Sequence, residues 1–254
     1  MLRLIFMLFV LLTFHSQGFA GEWIDLTHSF DEKTIYWPTA SGFKIDRRAG
    51  FTKEGYYYSA NLFSCPEHGG THIDAPVHFA KGKKTVDQLT PGELIGEGIL
   101  IDLEDKIGGD SDYEISEADI KDWEKINGSL SKGSIVLFRT GWARFWNDKK
   151  KYLGSDLADD IKNLHFPGLS EKAARYLVSK QIKGVGLDVA SLDAGQSRDF
   201  KVHRIILGNN LYGLENLAHL DKINATKFLV IVAPMKIGGG TGAPTRVYIK
   251  TGTN

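Results

Sequence analysis

Eleven consecutive residues, His68 to His78, carry three histidines and an aspartate among two glycines and a proline, and they restrict the fold around them more than any other stretch of the chain. A helix would put His68 and His72 on one face, but Gly69, Gly70 and Pro76 disfavour a helix, and no glutamate follows the first histidine as it does in helical zinc proteases. A tight glycine turn running into an extended strand fits better. Residues two apart on a strand share a face, so His72 and Asp74 project together while the glycines bring His68 round to meet them. Imidazole and carboxylate side by side are ligands for zinc, manganese or iron, and Asp74 is placed to bridge two ions if further ligands arrive from elsewhere. His78 lies beyond Pro76 and reaches either the ion or the water and substrate beside it.

The segment matches His-x-Gly-Thr-His-x-Asp-x-Pro-x-His at every specified position, and in this it resembles the cyclase-type metal hydrolases, which include bacterial kynurenine formamidase and isatin hydrolase. Asp25 to His28, Arg139 to Trp142, Gly186 to Asp193 and Gly239 to Arg246 extend the resemblance through most of the chain. It implies a second ligand pair, a histidine followed twelve positions later by a glutamate, and His203 and Glu215 have that spacing. Without the resemblance each would read as an ordinary surface residue. It further implies that His78 is the general acid/base, that the Gly238 to Gly242 run lines the active site as backbone, and that the chain forms a dimer or tetramer whose neighbours help to close the pocket. The implied fold is α/β, a mixed-sheet single domain of the swivelling β/β/α type.

Residues outside this segment agree with one α/β domain. Apolar, β-branched stretches predict strands at Trp23–Leu26, Tyr56–Phe63, Gly98–Leu103, Ile135–Arg139, Gly184–Val189, Phe228–Ala233 and Arg246–Lys250. Between them, Ser170 to Lys183 reads as a helix capped by Ser170 and ended by Gly184, and Ser116 to Ile126 as another, with Ser116 and Asp119 in a capping arrangement. His203 falls on an expected short helix. Of the aromatic residues between Trp23 and Phe63 most are expected in the core, while Trp37, before Pro38, is assigned to an apolar wall for a flat substrate. Asp188, Ser191 and Asp193 follow an expected strand, where carboxylates can orient ligand histidines. His28, His165 and His219 have no partner pattern and read as structural or surface residues.

Arg3 followed by the apolar run Leu4 to Phe14 and the small residues Gly18 and Ala20 is the layout of a secretory signal peptide, cleaved after Ala20, so residues 21–254 form the domain and the product is secreted or periplasmic without stable membrane insertion. One cysteine, Cys65, excludes an internal disulfide. With 31 basic and 31 acidic side chains there is no electrostatic footprint for nucleic acid. The expected activity is that of a metal-dependent amidohydrolase using one or two divalent ions, manganese or zinc. Such an ion lowers the pKa of bound water from about 15.7 towards about 7 and so supplies a nucleophile for a carbonyl carbon. Two small-molecule substrate classes fit, an isatin-like cyclic amide or an aryl formamide such as N-formylkynurenine in tryptophan breakdown, and export weighs against the second. A secreted metal-binding protein without significant catalysis is the alternative from another class.

Overall fold

Fourteen strands, six α-helices and four short 3-10 helices are present among residues 21–252, which the computed structural model describes; the expected signal peptide lies outside them. In chain order the first elements are β1 (Trp23–Asp25), β2 (Lys44–Asp46), β3 (Ala49–Phe51), β4 (Tyr57–Ser59), β5 (Leu62–Ser64), β6 (His72–Asp74), α1 (Pro91–Leu94), β7 (Ile95–Asp102) and α2 (Glu104–Ile107). They are followed by β8 (Glu114–Ile115), α3 (Glu117–Asn127), β9 (Ile135–Arg139), α4 (Lys149–Leu153), β10 (Gly168–Leu169), α5 (Glu171–Ser179), β11 (Gly184–Leu187), α6 (Lys201–Gly208), β12 (Tyr212–Glu215), β13 (Lys227–Pro234) and β14 (Gly242–Lys250). None of the described helices is long and apolar enough to cross a membrane.

Seven strands close on one another in the order β14-β13-β7-β9-β11-β12-β6 and back to β14, a mixed barrel within one α/β domain, as expected. The run β7-β9-β11-β12 is parallel and the remaining pairings are antiparallel. β14 makes the closure: its first three residues pair with β6 and its last three with β1. Strand alternation sorts the apolar residues into two cores. Leu100, Ile135, Leu137, Leu214 and Ile73 face the barrel interior, whereas Ile99, Ile101, Val136 and Phe138 point outward against helices α3, α5 and α6. Strands apolar on both faces are what a layer buried on both sides requires.

The capped helices form where the sequence places them. Ser116 accepts from the Asp119 backbone and Asp119 answers at the Ser116 amide, the reciprocal box that opens α3. Ser170 accepts from Ala173 N at the start of α5. That helix stops at Ser179, short of Gly184, because Gln181 turns into the left-handed region at φ 58° and Gly184 is already the first residue of β11.

The stretch Tyr56–Phe63 departs from expectation. It is two strands rather than one, broken at Ala60 and Asn61, where the Asn61 side chain accepts from Arg48 N and takes the place of a ladder bond. With β2 and β3 these strands form a two-part ribbon standing off the barrel, so Phe51, Tyr56, Tyr57, Tyr58 and Phe63 are exposed and not in the core.

Outside the barrel, Glu124 ties α3 to α5 and the following loop by accepting from Lys180, Tyr176, Leu130 N and Ser129. Burial alone would raise this carboxyl; the four donors bring it down to about 2. A depressed carboxylate stabilises the fold above its unfolded value, ordinarily 4.5, and that contribution is lost as pH falls through about 2. At ~1.4 kcal/mol per pKa unit, discounted by about half for water access, Glu124→Gln is expected to cost about 1–2 kcal/mol in urea unfolding at pH 7. The gap between variant and parent should close on titration to the acid limb.

Candidate metal centre

Where β6 and β12 pair, Glu215 stands directly opposite His72, and Gly213 opposite Asp74. Ile73 and Leu214, one residue out of phase, face the barrel interior, which leaves His72, Asp74 and Glu215 together on its outer face. The turn before β6 depends on glycine twice. Gly70 has φ 58°, and a Cβ at Gly69 would lie 2.0 Å from the Tyr36 ring, so the chain can bend tightly enough to carry His68 back over Asp74. His203 arrives from α6, which packs across this face.

Four donors converge there. His72 Nε2 lies 3.3 Å from Asp74 Oδ1 and 3.4 Å from Glu215 Oε2, and His203 Nε2 lies 3.2 Å from Asp74 Oδ2 and 3.1 Å from Glu215 Oε1. Ligands bound at about 2.0–2.1 Å in a tetrahedral shell are separated by about 3.3–3.4 Å, so His72, Asp74 and Glu215, whose donor atoms all lie within 4.8 Å of one another, are spaced for a shared divalent ion, with His203 against both carboxylates. Asp74 Oδ2 is buried and accepts no hydrogen bond, which leaves its lone pairs for a cation. On the other side of Asp74, His68 Nδ1 lies 2.7 Å from Oδ1, and His68, Asp74 and His78 form a second group of donors. The His78 ring, from the turn Pro76–His78, stacks on His68 at 3.8 Å.

The ring nitrogens facing away from the cluster are spoken for. A carbonyl only accepts, so His72 Nδ1 donates its proton to Gly70 O at 3.0 Å, a group also held by Asn216 Nδ2. His203 Nδ1 donates to Asp193 at 2.6 Å, and the same carboxylate accepts from the backbone of Val202 and His203. Both rings therefore turn Nε2 towards the cluster. Glu215 is oriented by Leu192 N at 2.9 Å. Of the three residues after β11, Asp193 alone orients a histidine of the cluster; Ser191 accepts from Asp193 N, and Asp188 instead accepts from Thr140 N and Oγ1.

The electrostatics call for a cation. Burial opposes ionisation of Asp74, yet the imidazoles of His203, His68 and His72 hold it well below the usual carboxylate range. Burial pushes Glu215 up, and the neighbouring charge of Asp74 adds to this. Burial disfavours charge on His72 too, but Asp74 and Glu215 carry it up to about 9, and Asp193, Asp74 and Glu215 raise His203 well above its ordinary value. Protons on two buried imidazoles stand in for the positive charge the carboxylates need. His78, outside this pairing, is pulled by burial down to about 4.

A cavity of about 350 Å³ opens onto the donors, walled by Ile35, Tyr36, Trp37, Phe79 and Phe200. A larger cleft of about 980 Å³ shares Ile35 with it and contains none of the converging donors. His28 stacks on Trp146, His165 contacts Asp112 and His219 contacts Asp25 O, so these three histidines stay out of the cavity. Phe79, Phe200, Tyr36 and Asn216 are site residues the sequence reading missed. Phe79 and Asn216 follow His78 and Glu215 directly, and that adjacency was the one available signal.

The Cyclase family matches residues 24–194. Among relatives, isatin hydrolase from Roseibium aggregatum is 34% identical over 211 residues, 80% of this chain and 79% of its own length. Kynurenine formamidase from Bacillus cytotoxicus is 26% identical over 235 residues, 91% of this chain and 98% of its own length. Isatin hydrolase A from Ralstonia solanacearum has a similar solved structure, with a TM-score of 0.82 and 29% identity over 91% of this chain and 92% of that one. Isatin hydrolase A from Labrenzia aggregata, bound to benzyl benzoate, gives a TM-score of 0.83 and 30% identity over 92% of this chain and 94% of that one.

Asp74→Asn keeps the shape of the side chain and removes its charge. Elemental analysis after dialysis is expected to find that this variant and His72→Ala retain less than a tenth of the wild-type metal, roughly the loss that removing a buried charged partner brings, while His219→Ala retains it all.

Proposed function

The chain belongs to the cyclase family of metal-dependent hydrolases, and on that premise we propose that it hydrolyses the ring amide of an isatin-like cyclic aryl amide. The observation that carries this reading is a continuous aromatic wall running up to the donor cluster. Trp37 and Phe79 flank Phe200, with ring centroids 6.1 and 5.4 Å from it, and all three line the cavity beside His72, Asp74 and His203. A flat bicyclic ring can lie against such a wall with its carbonyl edge towards the polar end.

His68, His72, Asp74, His203 and Glu215 are the residues we assign to one or two manganese or zinc ions. A bound divalent ion supplies a Lewis acid for the amide carbonyl and acidifies water. The chain's own residues do the rest. The aromatic walls orient the substrate and exclude bulk water, and Asp193, Gly70 and Leu192 N hold the ligands. The His78 ring makes no hydrogen bond among the described residues, and it lines the cavity. As water adds to the carbonyl carbon, the neutral His78 ring takes up the proton the water gives off, and as the C–N bond breaks it passes that proton to the leaving ring nitrogen, giving an anilino acid. An aryl formamide is the second reading, supported by the similarity to kynurenine formamidase.

A homo-oligomer belongs to the same proposal. Phe51, Tyr56, Tyr57, Tyr58, Leu62 and Phe63 on the ribbon are each 55–79% exposed. Successive strand residues point to opposite faces, so at about 150–250 Å² per aromatic side chain each face of the ribbon offers on the order of 300–400 Å², and the two faces together approach the ~800 Å² that each partner gives to a stable interface. A second copy of this chain, presenting the same patch about a two-fold axis, is the occupant we assign. The ribbon springs from Ala40 and returns at Pro66, both of which line the cavity, so its docking bears on the pocket mouth.

Two measurements test these assignments. Purified protein loaded with manganese or zinc is expected to hydrolyse isatin faster than N-formylkynurenine, with loss of turnover on chelation; the reverse preference would move the assignment to the formamide, and chelator-resistant turnover would sink it. In sedimentation velocity the parent is expected as a dimer or tetramer and the combined variant Phe51→Ser, Tyr57→Ser, Phe63→Ser as a monomer, whereas a monomeric parent would remove the ribbon interface.

A further inference from the structure

We propose that Glu67 and Thr241 are a positioning pair for His68, locking it in the tautomer that turns Nδ1, rather than Nε2, towards the ion. The inference rests on the metal-centre reading above and extends it to two residues that touch neither ion nor substrate.

Thr241 donates twice to one oxygen of Glu67, from its backbone N at 2.9 Å and from its hydroxyl at 2.5 Å. A hydroxyl has a single proton, and a carboxylate is the partner that can only accept. The Thr241 oxygen is thus left as an acceptor, and it lies 2.9 Å from His68 Nε2. His68 Nε2 must therefore carry a proton. In the neutral ring Nδ1 then presents a lone pair, 2.7 Å from Asp74 Oδ1. Two lone pairs cannot face each other at that distance without a cation beside them, a proton or a metal ion.

This wiring is the reverse of that at His72 and His203. Those rings give up the Nδ1 proton to Gly70 O and Asp193 and offer Nε2. His68 cannot follow them, because the Thr241 acceptor has already claimed Nε2. The ring is also clamped edgewise. A Cβ at Gly242 would lie 2.5 Å from His68 Cε1, so the residue after Thr241 must be glycine for the ring to sit there, and His78 stacks on it at 3.8 Å. The loop that ends in Gly242 is anchored by Ala75 N donating to Thr241 O and Val86 N donating to Gly240 O. The glycine run is consequently a mount for one hydroxyl.

The test uses the full chain stripped of metal and titrated with zinc and with manganese against a competing chromophoric chelator. Thr241→Val keeps the β-branch and removes the acceptor, and we expect it to bind about 10–100-fold more weakly, the usual effect of removing a partner of a metal ligand, with Thr241→Ser restoring affinity. Independently of any variant, ¹⁵N-histidine NMR of the zinc-loaded wild type should show His68 protonated at Nε2 and metal-bound through Nδ1, opposite to His72 and His203. Unchanged affinity in Thr241→Val, or a His68 bound through Nε2, would overturn the pairing while leaving the metal centre intact. A wild type that binds neither ion would bring down the metal centre and the pairing with it.

Discussion

The negative charge of Asp74 sets the terms for everything around it. A carboxylate that is 1% exposed costs several kcal/mol to bury unless it is paired. Here the compensation comes from three imidazoles on three different supports: a glycine turn, the same strand, and a helix more than a hundred residues away. Glu215 adds a second buried acid to the same space, so the site is stable only with positive charge at its centre. The remaining features follow from that demand: Asp193 behind His203, Gly70 O behind His72, and a backbone amide behind Glu215. Each keeps a donor aimed inward.

What the sequence made legible was whatever is decided locally. The strand Ile135–Arg139 has the bounds its apolar run marks, and both capped helices begin where a serine offers its hydroxyl to the turn ahead. His72 and Asp74 could be read as neighbours because a strand has a period of two and glycine with proline forbids the alternative. His203 and Glu215 gave no such local sign. Their place in the cluster depends on the register of β12 against β6 and on the packing of α6, both long-range events, and only the family spacing pointed to them. The aromatic ribbon misled for the complementary reason. Composition says that Tyr56, Tyr57 and Tyr58 are fit for burial, but it does not say whether this chain supplies the surface that buries them.

The strand that carries the site is only three residues long, too short to hold itself in place. Its rigidity is borrowed from both neighbours, β12 on one side and the opening residues of β14 on the other. The clustered side chains therefore sit at the seam where the barrel closes rather than on one of the long strands. The precision a donor cluster needs is supplied by closure: β6 can shift along neither neighbour without also breaking register with the other.

That seam also sets a timetable. β6 appears early in the chain, near residue 72, yet its flanking strands begin at residues 212 and 242. Until nearly the whole polypeptide has been synthesised and its last strand has docked, His72 and Asp74 have no frame, and Glu215 and Thr241 are not in place. Pairings so distant in sequence are slow to find, because loop-closure entropy is lost before any contact repays it. A nascent or partly folded chain thus exposes scattered histidines and carboxylates, and their cluster is completed at the close of folding, as its final act rather than its nucleus.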